Sequence, residues 1–239
     1  MELEKENGYY INQNKEEIHL ENDLIYAFLK SSDLNKEIIE STRKYTIITQ
    51  RKIGDDTSYI ERYYPKTFQY LEKNKEYFNL RKSQIYKGKP LFSIFGIGDY
   101  AFFQFKVGIS GLYKQTKFSL ILPAQDKPVM LDDTCYFLGF DNPLDSVIVL
   151  LALNHFSVQE FLSSIIFYDS KRVITKDVLM RIDIGKVMKS IPVEYFIESI
   201  EKRFSNICGL ITSDNLERRI EGLTYSGAEK MQMELFGRI

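Results

Sequence analysis

Apolar positions in this chain are spaced for a helix in one stretch, for strands in the next, and for helices again towards the end. Residues 1–19 are polar and charged and read as a loose lead-in. Leu24 to Leu29 forms a short apolar segment that stops at Lys30-Ser31-Ser32-Asp33. Tyr45-Thr46-Ile47-Ile48-Thr49 has the β-branched content of a strand, and Gly54-Asp55-Asp56 breaks it off. Pro65 suits the first turn of a helix. After it Phe68, Leu71, Tyr77, Phe78 and Ile85 recur at helical spacing, which predicts a helix over about 66–83 with cations on its outer side.

The middle of the chain is strand-rich. Segments 92–95, 100–109, 118–122 and 134–138 are strand candidates, punctuated by Gly96, Gly98, Gly108, Gly111, Pro123 and Pro128. Asn142-Pro143-Leu144-Asp145 starts a helix that runs to about Asn154. A second helix is expected from Ser157 to Phe167, with Ser157 as cap and Glu160 three residues in. Helices are expected again from Glu194 to Phe204 and from Ser213 to Gly222, the glycine ending the last one. This order predicts an α+β fold with a mainly antiparallel sheet, flanking helices and a helical C-terminal extension over 186–239.

Composition narrows the class. The 239 residues are 44% apolar, enough for a substantial core, and the 17 Phe and 16 Tyr, with no Trp, make that core rich in rings. The longest apolar run, Val147 to Leu153, is far short of the roughly 20 residues that cross a bilayer. The acidic, polar N-terminus is unlike a signal peptide. Cys135 and Cys208 are far apart with no CxxC pair, which fits a reduced, cytoplasmic protein. His19 and His155 are too few for a histidine-built metal site, and His155 reads as a packing residue after the apolar run.

Charge is uneven. The whole chain is near neutral, with 32 Lys+Arg against 33 Asp+Glu. The block from Pro65 to Lys117 instead holds ten cations against three acids, Glu72, Glu76 and Asp99, a net of +7. A local positive field interleaved with aromatic residues points to nucleic acid. Lys66, Arg81, Lys82, Lys87, Lys89, Lys106, Lys114 and Lys117 are candidate phosphate or base contacts, and Ser83 a hydrogen-bonding neighbour.

Catalytic signatures are weak. Phe95-Gly96-Ile97-Gly98-Asp99-Tyr100 lacks the third glycine of a dinucleotide loop, has Ala101 in its place, and is followed by a strand pattern rather than a helix. It reads as a tight turn. Asp132-Asp133-Thr134 places adjacent carboxylates on opposite faces of a strand, so a turn suits it better than a metal pair. No Gly-x-Ser-x-Gly elbow or Walker loop is present, and no two prolines are adjacent, which removes an Asn-Pro-Pro-Tyr type tetrapeptide. No catalytic or metal-ligating residue is assigned.

Five segments in register resemble a known pattern. They are Leu29 to Leu34; Tyr64 to Leu71; Arg81-Lys82-Ser83 with Ile85-Tyr86; Phe92 to Tyr100 with Lys106-Val107; and Val129 to Phe137. Over about residues 20–185 the chain resembles the C-terminal target-recognition (specificity) domain of DNA adenine-N6 methyltransferases of the TaqI-like gamma class. The resemblance implies a domain that reads a double-stranded DNA sequence while a separate catalytic domain or subunit binds S-adenosylmethionine and methylates a flipped-out adenine. By the same resemblance Arg81 falls on the arginine that closes the helix before the sheet, and Lys106 on a lysine near the DNA face. Phe105 departs from the proline or tyrosine of many members, and the methyltransferase domain itself is missing from this sequence. The expected function is therefore a restriction-modification recognition module without its own chemistry or cofactor. A restriction nuclease subunit using Asp132 or Asp133, or a subunit that docks a catalytic partner, are the alternatives. Near the C-terminus Gln232-Met233-Glu234-Leu235-Phe236 resembles the pentapeptide that docks on the bacterial sliding clamp, with Gln232, Leu235 and Phe236 as anchors.

Overall fold

A computed structural model of the chain describes residues 2–6, 8–113, 115–167, 169, 171–209 and 211–226. The chain divides into two compact units that share it in alternation. The first takes residues 1–29, 41–102 and 124–130, and the second takes 30–40, 103–123 and 131–239.

The first half of the chain supplies strands β1 (Glu2–Glu6), β2 (Tyr9–Asn12), β3 (Glu17–Ile18), β4 (Ile25–Leu29), β5 (Ile38–Ile39) and β6 (Lys44–Ile47). Helices α1 (Tyr59–Tyr63), α2 (Pro65–Lys73) and α3 (Lys75–Asn79) follow. Then come β7 (Phe105–Ser110), β8 (Ser119–Ile121), β9 (Met130–Leu131) and β10 (Cys135–Phe140). The rest is helical: α4 (Pro143–Asn154), α5 (Phe156–Ile165), α6 (Lys176–Leu179), α7 (Ile184–Ser190), α8 (Val193–Arg203), α9 (Ser205–Cys208) and α10 (Ser213–Ser226). The fold is α+β. Its sheets run β3-β2-β1-β6-β4-β9 and β10-β7-β8-β5. The pairings with a recorded register are antiparallel except β5 with β8, which is parallel.

In the first unit the segment expected to be a loose lead-in instead makes β1 to β3. Leu3, Tyr10 and Ile18 are buried while Glu4 and Glu17 face out. One buried apolar residue per strand was enough, because in β1 and β3 the exposed glutamates lie off the buried face of a two-residue alternation. The helix expected over 66–83 is broken at Asn74, whose backbone leaves the helical region at φ −103° and ψ 15°. Its amide Nδ2 donates to the Tyr70 carbonyl at 2.8 Å, so the side chain competes with the main chain for that acceptor. Residues 92–95 are not a strand. Two of their carbonyls go elsewhere: Thr49 Oγ1 donates to Phe92 O at 2.7 Å, and Arg81 takes that of Ser93 together with that of Leu91 just before. The aromatic run after Gly98 begins as a 3-10 turn, Asp99–Phe102, and the strand starts only at Phe105.

In the second unit α4 is buried along Ser146 to Leu153, as expected of a helix that is apolar all round. Asn142 Oδ1 caps it, accepting from the amides of Leu144 (2.8 Å) and Asp145 (3.4 Å), and Pro143 fills the first turn. At its far end Asn154 pins the entry to β8: Phe118 N donates to Asn154 Oδ1 at 2.8 Å, and Asn154 Nδ2 donates to Phe118 O at 2.9 Å. Arg219 of α10 grips Asp145 with two hydrogen bonds, the Nη2 to Oδ2 one at 2.7 Å. Helix α5 starts at Phe156 rather than after Ser157, because the Ser157 hydroxyl is engaged with His155 Nδ1 at 2.8 Å instead of capping. The His155 ring packs edge-on against Tyr195. Helix α10 continues through Gly222, which does not end it. No helix among the described residues is long and apolar enough to cross a membrane.

Candidate nucleic-acid interface

The basic block is split between the units. Lys66, Lys73, Lys75, Arg81, Lys82, Lys87 and Lys89 belong to the first, and Lys106 and Lys117 to the second. Lys114 lies outside the described residues, as do Gln232, Leu235 and Phe236.

In the first unit helices α2 and α3 carry Lys66, Lys73 and Lys75, and the segment after α3 carries Arg81, Lys82, Lys87 and Lys89. The start of α2 is held by a carboxylate from far back in the chain. Glu21 accepts from the amides of Lys66 (2.9 Å) and Thr67 (2.8 Å) and from Thr67 Oγ1 (2.7 Å). Partial burial would raise the Glu21 carboxyl, but these hydrogen bonds together outweigh it and hold the group below its ordinary value. Lys73 pairs with Glu16 and Lys75 with Glu72, each at 3.0 Å. Lys66, Lys82, Lys87 and Lys89 are exposed and have no ion pair among the described residues. Such lysines keep their full charge for an anionic partner. Arg51 and Lys52, which the sequence block does not include, converge on Asp99 at 3.6 and 2.7 Å. The guanidinium of Arg51 lies 4.2 Å from the centre of the Phe102 ring.

Arg81 has a different place from the one its sequence position suggested. Its guanidinium donates to the carbonyls of Phe78 (3.0 Å), Leu91 and Ser93 and lies 3.9 Å from the centre of the Tyr86 ring. Each of the three guanidinium nitrogens donates once, so the planar fork acts as a clamp on the segment that follows α3. Ser83 is exposed, and its hydroxyl accepts from Ile85 N at 3.4 Å, capping the short turn there.

Lys106 is not on a surface. It sits in β7 between β8 and β10, opposite Ile121 and Gly139. It is 1% exposed, and Nζ donates to the Phe103 carbonyl at 2.7 Å. Desolvation pulls its pKa down to about 7. Gly139 makes the arrangement possible, because a methyl group there would collide with the Phe103 ring. Lys117, by contrast, is exposed and lines a groove of about 350 Å³ with Lys36, Asn154 and Tyr195. In that groove Arg203 is already paired with Glu37.

The chemistry at the other singled-out positions is structural. Asp132 forms the expected turn: its Oδ1 accepts from Thr134 N at 3.0 Å and from the Thr134 hydroxyl, and Cys135 N donates to Asp132 O at 3.1 Å. The Ser31 hydroxyl reaches the same turn, 2.8 Å from Thr134 O. Asp133 lies 3.9 Å from Arg172. Among the described residues no group of three or more His, Cys, Asp or Glu is placed to hold a metal ion. Gly96 has φ 72°, as a glycine turn requires. The Gly96–Gly98 segment does not fit a methyl-donor loop: the Tyr100 ring covers the Cβ position of Gly98, and a 3-10 turn follows instead of an α-helix.

The sequence did not single out a cleft of about 470 Å³ in the first unit, lined by Tyr70, Tyr77, Tyr86 and Phe95 with Gln13, Asn14 and Asn74. Its only forewarning was the aromatic content of the basic block. Gln13 and Asn14 were hidden in the supposed lead-in.

No protein-family model matches the chain. Over 191 residues it is 39% identical to the Type II methyltransferase M.NspV of Nostoc sp. (strain ATCC 29411 / PCC 7524), a match covering 80% of this chain and 40% of that protein. The chain is thus related to a type II methyltransferase and spans about two fifths of its length.

Proposed function

We propose that the chain is the DNA-reading part of a type II restriction-modification methyltransferase, a module that recognises a double-stranded sequence for adenine-N6 methylation carried out elsewhere. The observation that carries the reading is the exposed, unpaired set Lys66, Lys82, Lys87 and Lys89 in a segment of a chain related to a type II methyltransferase. Lysines of this kind neutralise backbone phosphates and set the register, while polar side chains read base edges. S-adenosylmethionine and the catalytic residues belong, in this reading, to a partner domain or subunit. Binding to the sliding clamp through Gln232, Leu235 and Phe236 is a further proposal of the same kind.

Fluorescence polarisation on duplex DNA over a salt series tests the reading. The expected result is binding whose logarithm falls linearly with the logarithm of salt. Replacing both Lys82 and Lys87 with alanine should reduce that slope by about 2. Binding that ignores salt, or no binding at low salt, overturns it.

A further inference from the structure

The 470 Å³ cleft of the first unit has the size of a small-ligand site. Its walls are rings, and two of them are fixed. Phe78 packs edge-on against Phe92 at 5.2 Å, and Tyr86 is held by the Arg81 guanidinium. Tyr77 and Phe95 are 69% and 45% exposed and leave ring surface open.

The polar side comes from the turn between β2 and β3. Asn12 is fully occupied there: Oδ1 accepts from Asn14 N (2.9 Å) and Glu16 N (3.0 Å), and Nδ2 donates to Glu16 at 2.8 Å. That fixes the turn and leaves the amide side chains of Gln13 and Asn14 exposed, with no partner among the described residues. Asn74 spends Nδ2 on Tyr70 O and keeps Oδ1. Arg81, the cation in this lining, has its guanidinium committed to three backbone carbonyls. The cleft therefore offers stacking faces and planar amides rather than a phosphate site.

Amide side chains match the paired donor and acceptor of a base edge, and aromatic faces take any base that has left the stack. We infer that this cleft receives one nucleobase turned out of the DNA, stacked on Tyr77 with its edge read by Gln13. The inference rests on the DNA-reading function proposed above, and adds that part of the reading is done on an unpaired base. The lining also holds Glu2 as well as Arg81, and Lys82 and Lys87, exposed in the same segment as the ring-bearing residues, supply the further positive charge that DNA requires.

A base in a perfect duplex must first be unstacked, at a cost of a few kcal/mol, and a bulged base has already met it. The test compares two duplexes of one sequence, one carrying a single bulged 2-aminopurine, and adds free 2-aminopurine riboside as a third probe. The bulged duplex should bind about tenfold tighter, with its 2-aminopurine emission quenched by stacking. Tyr77→Ala and Gln13→Ala should each reduce that gain. Equal affinity for both duplexes, with unchanged emission, overturns the inference while leaving the DNA-reading function standing. No binding of either duplex at low salt overturns both. A gain that survives the double substitution of Tyr77 and Gln13 by alanine removes the base from this cleft. Tight riboside binding without preference for the bulge overturns the DNA source and assigns the cleft to a free nucleoside.

Discussion

The side-chain ammonium of Lys106 donates to the backbone carbonyl of Phe103, three residues earlier, in a place from which solvent is almost fully excluded. The Phe137 ring lies 5.8 Å from the same ammonium. A buried lysine with a carbonyl for its hydrogen bond is costly in the charged form, because desolvation outweighs one neutral acceptor.

That cost has a sign and a pH window. The folded pKa of about 7 is below the unfolded value of about 10.4. Between these values the native state binds fewer protons than the unfolded one, so the Lys106 contribution to stability rises with pH. Below about 7 the penalty is constant, and above about 10.4 it is gone. Lys106→Met should therefore be more stable than the wild type near neutrality, with the gap closing towards about pH 10 by at most about 1.4 kcal/mol per pH unit. Urea unfolding of both proteins across that range measures it. Parallel curves would show that Lys106 is solvated after all.

Arg81 should behave as a structural residue. Lysine offers a point charge in place of the fork, and its three donors leave from one nitrogen rather than from the three spaced nitrogens that reach Phe78, Leu91 and Ser93. Arg81→Lys should cost about 1–3 kcal/mol of stability through the abandoned acceptors. Limited proteolysis should then cut first within residues 81–93. An intact, equally stable variant with weaker DNA binding would instead put the guanidinium on the DNA.

The cap of α4 offers a cleaner stability probe. Asn142→Ala removes the acceptor for two amides and should cost about 0.5–2 kcal/mol, read as a shift of the urea midpoint without a change in slope.

The two thiols should be slow. Burial raises Cys208 to about 11 and Cys135 further still. Native protein should therefore react with a thiol-disulfide reagent ~100-fold more slowly than an exposed cysteine. Cys208 should go first, because Cys135 is fully buried. Adding urea should release both at once. A fast native thiol would contradict the packing around Cys135 in β10 or Cys208 in α9.

Some of this was legible in the chain. Asn142-Pro143 before an unbroken apolar run gives α4 both its start and its burial, since cap and core pattern agree. The unpaired lysines were visible because each is settled by local charge balance. Lys106 was not, because its fate depends on Gly139, thirty-three residues on, leaving room for the Phe103 ring. Arg81 read as a ligand contact because its acceptors are main-chain carbonyls, which carry no residue signature. The cleft was missed for a related reason: Gln13 and Asn14 stand about sixty residues before the rings, and the two segments meet through side chains such as Lys73 on Glu16.

The alternation of the two units along the chain also sets an order on biosynthesis. Residues 124–130 complete the first unit, and β5, made early, finds its partner β8 only some eighty residues later. A nascent chain must therefore hold an unmatched edge strand while the intervening segments emerge, and long-range closure of this kind slows folding. No single cut releases either half intact. Fusion partners should be attached outside the span of the two units rather than inserted within it.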